Sequence, residues 1–461
     1  MGKPRSPLPS SSLHFVFSPV LDIYRLPILI ILLGFRNLVY GIDDFDSLIE
    51  LPRYISSESF WNSSSDSSIV LQVHDFGAEG NGIVDDTEAF GEVWKIACSS
   101  PIPAKIVVPG RKTFLLRPID FAGPCKSNLT LRIDGTIVAP KDPEIWKGLD
   151  PNKWLYFHQV KYLTVEGRGT VDGNGHKWWA RSCKINQTNP CRRAPKAITF
   201  HKCRNLKVRY LTVINSQQMH MAFTSSRQIA ISHLSILAPP HSPNTDGIHI
   251  SASTNVEIKS SVISTGDDCI SIVSNSSKIR VKDITCGPGH GISIGSLGKN
   301  SSWDQVHDVE VNGAFLSNTE NGVRIKTWQG GSGYVRKITF EDVIMENVSN
   351  PIIIDQYYCD SFDPCPNQTL AVNISGISYI GIKGTSATEE AISFACSDNS
   401  PCKGLHLDDI QLVSYTGDFT TSFCWEAYGS SSGYVYPSPC FSSNDDHIIL
   451  QKTQSSSIQS I

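Results

Sequence analysis

The chain has 461 residues, 40% of them hydrophobic and 18% charged, and a formal net charge of −4. This is the balance of a foldable globular protein. It lacks the basic excess that neutralises nucleic-acid phosphates, and 34 glycines and 26 prolines at this length exclude collagen-like and low-complexity chains.

The first 41 residues read as a secretory signal peptide. Lys3, Arg5 and Arg25 precede an apolar run over residues 26–35, broken by Pro27 and Gly34. About ten apolar residues suit a signal-peptide core and fall short of a bilayer span. Small residues near Gly41 are candidates for the cleavage point. The long basic stretch leaves a signal anchor, or a false upstream start, as the alternative. Residues 42–68, rich in Ser and Asp, read as a linker or pro-segment, and residues 442–461 as a polar tail. Residues 69–441 remain as one folded domain. Although 461 residues ordinarily suggest two or three domains, a solenoid grows by adding coils and escapes that prior.

Cysteine usage agrees with export. Six spacings suit local disulfide loops: Cys98 with Cys125, Cys183 with Cys191, Cys269 with Cys286, Cys359 with Cys365, Cys396 with Cys402, and Cys424 with Cys440. Spacing alone does not fix connectivity. Cys203 is left over in a strand-like run, as a buried thiol, and no Cys-x-x-Cys pair with matching histidines supports zinc. Eight glycosylation sequons begin at Asn62, Asn128, Asn186, Asn275, Asn300, Asn347, Asn367 and Asn373, in keeping with a secretory route.

Between the termini a period-2 pattern recurs. Segments such as Leu129-Thr-Leu-Arg-Ile133, Leu163-Thr-Val165, Leu206-Lys-Val208 and Ile229-Ala-Ile231 alternate apolar and polar residues and end in Gly, Asn or Ser turns. Alternation of this kind predicts half-buried strands. From Leu206 the starts recur at intervals of 23, 27, 23, 30 and 29 residues, through Val256, Ile279, Val309 and Ile338, and Val372-Asn-Ile374 and Leu405-His-Leu407 extend the series. Short strands at this period, without helices between them, predict an all-β single-stranded right-handed parallel β-helix. The segment from Asp85 to Cys98, apolar at helical spacing, is the expected helix capping the N-terminal end of the solenoid.

Four clusters fall at the same period: Asn244-Thr245-Asp246, Gly266-Asp267-Asp268, Gly289-His290-Gly291 and Arg324-Ile325-Lys326. Asp246 to Asp268 is 22 residues, Asp268 to His290 is 22, and His290 to Arg324 is 34. Equivalent positions on adjacent coils lie about 4.8 Å apart, so these residues are expected to stack into one patch of three carboxylates, an imidazole and two cations. Crowded carboxylates repel, which raises the proton affinity of one of them. One carboxyl can then protonate a leaving oxygen while another activates water, the division of labour in glycoside hydrolysis. Fixed cations beside them suit an anionic sugar. Asp267 and Asp268 would face opposite sides of a regular strand, so a bend at Gly266 is expected to turn both outward.

These four clusters resemble the signature motifs of the polygalacturonases, most closely the plant type. The resemblance extends to Asp75-Phe76-Gly77-Ala78, Asp85-Asp86-Thr87, Val171-Asp172-Gly173-Asn174-Gly175 and Trp178-Trp179, and covers roughly residues 70 to 440. It implies a glycoside hydrolase on a right-handed parallel β-helix, cleaving α-1,4-galacturonan (pectin) with inversion, without metal or cofactor, as a monomer secreted to the cell wall and free of the membrane after signal removal. By motif position it implies Asp267 as general acid and Asp246 and Asp268 as the residues holding and activating water. His290 would maintain the acid's protonation state. Arg324 and Lys326 would bind the galacturonate carboxylate, and Asn244 and Tyr358 would contact substrate, the adjacent Tyr357 making that last placement ambiguous. A calcium-dependent pectate lyase, a pectin-binding solenoid without catalysis, and a hydrolase of rhamnogalacturonan or xylogalacturonan are the rival readings. Endo or exo action stays open, with insertions near Cys183 to Cys191 and Trp303 to Asp308 as candidate cleft-blocking loops.

Overall fold

The computed structural model describes residues 68–361 and 363–441. The expected signal peptide, the Ser-rich segment up to residue 67 and the polar tail lie outside the described residues.

Strands run from Ile69–Gln72 to Ala427–Tyr436, and every strand pairing is parallel between successive coils. The chain is the expected right-handed parallel β-helix. Most coils contribute segments to a 20-stranded sheet that bends round two faces and one strand to a separate 11-stranded sheet. The bend is made by one residue per coil in the left-handed region, among them Tyr210, His233, Ser260, Asp283, Gly313 and Asp342. That conformation is sterically costly for residues with a Cβ, so its recurrence at one register position marks a corner imposed by the coil.

The alternating segments read from the sequence build the long sheet. Leu206 pairs with Ile229, Ile229 with Val256, Val256 with Ile279, Ile279 with Val309 and Val309 with Ile338, all buried. The next step differs from expectation. Ile338 pairs with Ile377 rather than with Val372, because the loop around Cys359–Cys365 lengthens that coil.

On the 11-stranded sheet two further ladders point inward. Met221, Ile248, Ile270, Ile292 and Val323 form one, and Phe200, Phe223, Ile250, Ile272, Ile294 and Ile325 the other. Phe157, Phe200 and Phe223 stack at 5.0 and 5.1 Å. Burying each such side chain contributes about 1.5–3 kcal/mol relative to exposure. The residues between the two ladders, His249, Ser271, Ser293 and Arg324, necessarily point outward, toward the side on which the site lies.

The N-terminal end is capped by the helix Thr87–Ser99, which buries Ala89, Phe90, Val93, Trp94 and Ala97. The Trp94 ring nitrogen donates to Ala122 O at 3.0 Å, and Cys98–Cys125 ties down the last turn. Asp86 precedes the helix without capping it through its side chain. Its carboxylate instead accepts the backbone N–H of Glu79 and Gly80, fastening the preceding turn. All six disulfides pair as the spacings suggested, and Cys203 is free and buried.

Candidate active site

Strand pairing sets the geometry. Ile248 pairs with Ile270 and Ile270 with Ile292, so Asp246, Asp268 and His290, each two residues before these positions, occupy one row on successive coils. Arg324 and Lys326 belong to Asn321–Thr327 on the following coil, further along the strand.

Asp267 and Asp268 lie in the turn before Ile270–Ile272 rather than in a strand, which frees both from alternation. A Cβ on Gly266 would stand 2.2 Å from Ser242 O and 2.5 Å from Ser242 N, so the turn can approach its neighbour only with glycine there. Asp267 Oδ1 accepts the N–H of Asp268 at 2.7 Å, and its other oxygen accepts from Asn244 Nδ2 at 3.4 Å. Asn244 sits at φ 56°, a left-handed conformation that Asn tolerates. On the next coil Gly291, at φ +82°, lies where a Cβ would stand 2.0 Å from Asn321 O, and it places the His290 ring beside Asp267.

The three carboxyls differ in surroundings. Asp268 is the deepest, its side chain 3% exposed, and receives Arg324 Nη2 and Ser293 Oγ on Oδ1 and Lys326 Nζ on Oδ2, at 2.8, 2.7 and 2.8 Å. Burial alone would raise its pKa, but Lys326 and Arg324 outweigh it and hold this carboxyl far below the ordinary range. Asp246 has no such cations bonded to it; Ser271 Oγ donates to it at 2.7 Å. Burial first, then the charges of Asp267 and Asp268, hold Asp246 well above the ordinary range. Asp267 is the most accessible, with its side chain 17% exposed against 9% for Asp246.

His290 bridges two acids, Nδ1 lying 3.3 Å from Asp267 and Nε2 3.3 Å from Glu320. Burial would lower its pKa, but the hydrogen bond and charge of Asp267, with Glu320 and Asp268, turn the net shift upward. The two tyrosines separate cleanly. Lys326 Nζ lies 5.4 Å from the Tyr358 ring centroid, whereas Tyr357 points its hydroxyl at Asp398. Burial raises the Tyr358 phenol further, so it remains a neutral hydroxyl.

All eight residues expected from the sequence therefore converge on one region. Sequence reasoning missed Ser271, Ser293 and Glu320. The serines had a visible signal, since each sits between two isoleucines at the same register, and Glu320 had none. Arg324 and Lys326 are 8% and 6% exposed and already paired with Asp268, which the motif spacing did not reveal.

Beside Asn244 lies a cleft of 1320 Å³. Its walls carry Lys147, Arg181, Lys184, Arg192, Arg193 and Lys299 against Glu144 and Asp360, a cationic excess. Lys184 pairs with Asp360, joining the Cys183–Cys191 and Cys359–Cys365 loops across it. The Cys183–Cys191 insertion thus forms part of a cleft wall. Trp303 to Asp308 is not a loop but the start of the strand Trp303–Ser317 in the long sheet. A groove of 1440 Å³ over the long sheet has Lys207, Arg280 and Lys337 balanced by Glu257, Glu310 and Glu341, without a crowded carboxylate cluster.

Oxygens of Asp267 and Asp268 and a ring nitrogen of His290 lie within 4.8 Å of one another. This set does not suit calcium, which takes six to eight oxygen ligands, because both Asp268 oxygens are already engaged by cationic side chains.

Residues 98–430 match the family described as glycosyl hydrolases family 28. A protein of Arabidopsis thaliana described as a probable polygalacturonase is 57% identical over 434 residues, 94% of this chain and 96% of that one. A polygalacturonase of Persea americana is 49% identical over 389 residues, 83% of each chain. Among solved structures, the polygalacturonase of Erwinia carotovora superposes with a TM-score of 0.64 at 20% identity, covering 83% of this chain and 99% of that one.

Proposed function

The chain belongs to glycosyl hydrolases family 28, and from that premise we propose that it is a polygalacturonase, hydrolysing α-1,4-galacturonosidic bonds of pectin with inversion. The observation that carries the reading is the split among three neighbouring carboxyls, one held high and one held low, beside a cation-walled cleft.

Three carboxyls so close do not all ionise at neutral pH. The proton so retained is shared within the cluster rather than owned by one carboxyl. Asp267, the accessible member, gives a proton to the glycosidic oxygen as the bond to the anomeric carbon breaks. Water adds to that carbon from the opposite face, and its proton passes to Asp246, with Asp268 fixing the water's second side. His290, held between Asp267 and Glu320, orients the acid and returns it to its starting protonation state. Arg324 and Lys326 receive the galacturonate carboxylate. Sharing these cations with a substrate anion weakens their hold on Asp268, so binding raises that carboxyl's basicity. Asn244 and Tyr358 border the bound sugar.

Six disulfides fit an oxidising compartment, and Asn128, Asn186, Asn275, Asn300, Asn367 and Asn373 are exposed. Among the described residues no helix is long and apolar enough to cross a membrane. The disulfides and exposed sequons support export, with residues 1–41 as signal; release to the cell wall and action as a monomer belong to the same proposal.

The test is incubation of purified protein with polygalacturonate, with and without excess EDTA, following reducing ends and unsaturated-product absorbance together. Reducing ends rising in EDTA without new absorbance support the hydrolase, and early product sizes separate endo from exo action. Absorbance that appears only without EDTA means a calcium-dependent lyase and overturns the mechanism.

A further inference from the structure

We propose that His249 is a positioning residue for the hydrolysis assigned above: through the Ser271 hydroxyl it holds the Asp246 carboxyl in place to receive the proton of the attacking water. This role rests on the galacturonan reading and adds to it a residue outside the four motif clusters.

Four outward residues form one row across successive coils, because His249 pairs with Ser271, Ser271 with Ser293 and Ser293 with Arg324. The row reads His, Ser, Ser, Arg. Each serine donates to the carboxyl of the preceding coil at the same distance, Ser271 to Asp246 at 2.7 Å and Ser293 to Asp268 at 2.7 Å. Each serine is in turn held by one end of the row. His249 Nδ1 lies 2.8 Å from Ser271 Oγ, and Arg324 Nε donates to Ser293 Oγ at 3.0 Å. His249 Nδ1 is 3.9 Å from Asp246 Oδ2, too far for a direct hydrogen bond, so the serine is the link.

A hydroxyl has one proton. When Asp246 is ionised and ready to act as base, Ser271 donates that proton to it and accepts the Nδ1 hydrogen of His249, the tautomer the relay requires. The two relays thus share a geometry and differ at the head. Arg324 is a permanent cation that also touches Asp268 directly. His249 is lowered to about 4 by burial, with Lys196 and Lys326 opposing and Asp268 and Asp267 favouring its charge, so its ring is neutral in the working range. A neutral donor orients Asp246 without supplying the charge that would strip it of proton affinity. A base that must accept a proton from water needs that combination of fixed direction and retained basicity.

The experiment is steady-state kinetics on polygalacturonate for the wild type, His249→Ala, His249→Asn, Ser271→Ala and the double Ala variant. Losing a hydrogen bond to a charged acceptor in the transition state predicts that His249→Ala and Ser271→Ala each lower kcat about 10–100-fold, with KM within about threefold. The double variant should be no worse than the poorer single one, because both break one chain. Asn, whose Nδ2 can stand where Nδ1 was, should recover most of the loss. Ser271→Ala removes a single oxygen, and its melting temperature serves as the check that the fold survives. Losses that multiply in the double variant, an Asn variant no better than Ala, or a rise in KM with kcat unchanged would overturn the relay. A wild type releasing no reducing ends refutes the galacturonan reading itself, whereas an active wild type with unaffected variants refutes this role alone.

Discussion

Replacing Asp268 by Asn tests the electrostatic architecture of the site. The amide keeps the shape of the carboxyl but strands Arg324 and Lys326, 8% and 6% exposed, without the anion that both contact at 2.8 Å. Removing one partner of a buried ion pair costs about 3–5 kcal/mol. Relief of the repulsion that Asp268 exerts on Asp246 offsets part of this, leaving about 2–4 kcal/mol. With about 2 cal/mol/K of unfolding entropy per residue over about 370 residues, the melting temperature should fall by about 3–5 °C. The pH dependence follows in sign. The folded-state pKa of Asp268 is depressed, so its contribution is complete above the unfolded value of about 3.9 and is lost as pH falls through the lower folded value. The gap between wild type and variant should therefore persist from pH 7 to 5 and shrink below about pH 4. Calorimetry with disulfides intact at pH 7, 5 and 3 reads this directly. A second variant, Lys326→Met in the Asp268→Asn background, removes one stranded cation and should recover part of the loss. A variant as stable as wild type at pH 7, or a gap that widens on acidification, would refute the reasoning.

Asp267→Asn should lower kcat on polygalacturonate by about 10²–10⁴-fold with an unchanged circular-dichroism spectrum, and residual activity within tenfold of wild type would remove Asp267 as the acid. Tyr358→Ala should raise KM while Tyr357→Ala changes it far less, since only the Tyr358 ring lies against Lys326; equal effects in the paired kinetics would contradict that distinction. Ile292→Ala, in the middle of an inward ladder, should destabilise by about 2–5 kcal/mol, measured by chemical denaturation. Cys203, 1% exposed with its thiol pushed up to about 11 by burial, should resist thiol reagents in the native protein and titrate as one thiol after unfolding without reduction.

Much of the fold is legible in the chain because its two constraints act at short range. Alternation fixes which residues point inward, and the repeat fixes which coil they join, so Ile229, Val256, Ile279 and Val309 announce their ladder. The same spacing by itself brings Asp246, Asp268 and His290 into one row. What stays hidden depends on reach rather than register. Arg324 and Lys326 extend back across two coils to an acid 56 and 58 residues earlier, and no spacing reports the direction of a long side chain. Val372 falls off the ladder that spacing suggests because a disulfide loop changes the coil length. The serines escape notice because a small polar residue between isoleucines is what any outward strand position looks like. Yet Ile248-His249-Ile250, Ile270-Ser271-Ile272, Ile292-Ser293-Ile294 and Val323-Arg324-Ile325 repeat one frame with one variable place. Within that frame Asp246 and Asp268 share one row, and each accepts from the serine of the next coil. The variable place gives one serine a neutral partner and the other a cation, and Lys326 adds a second cation to Asp268, so the strands that build the coil help divide two chemically identical acids into different proton affinities.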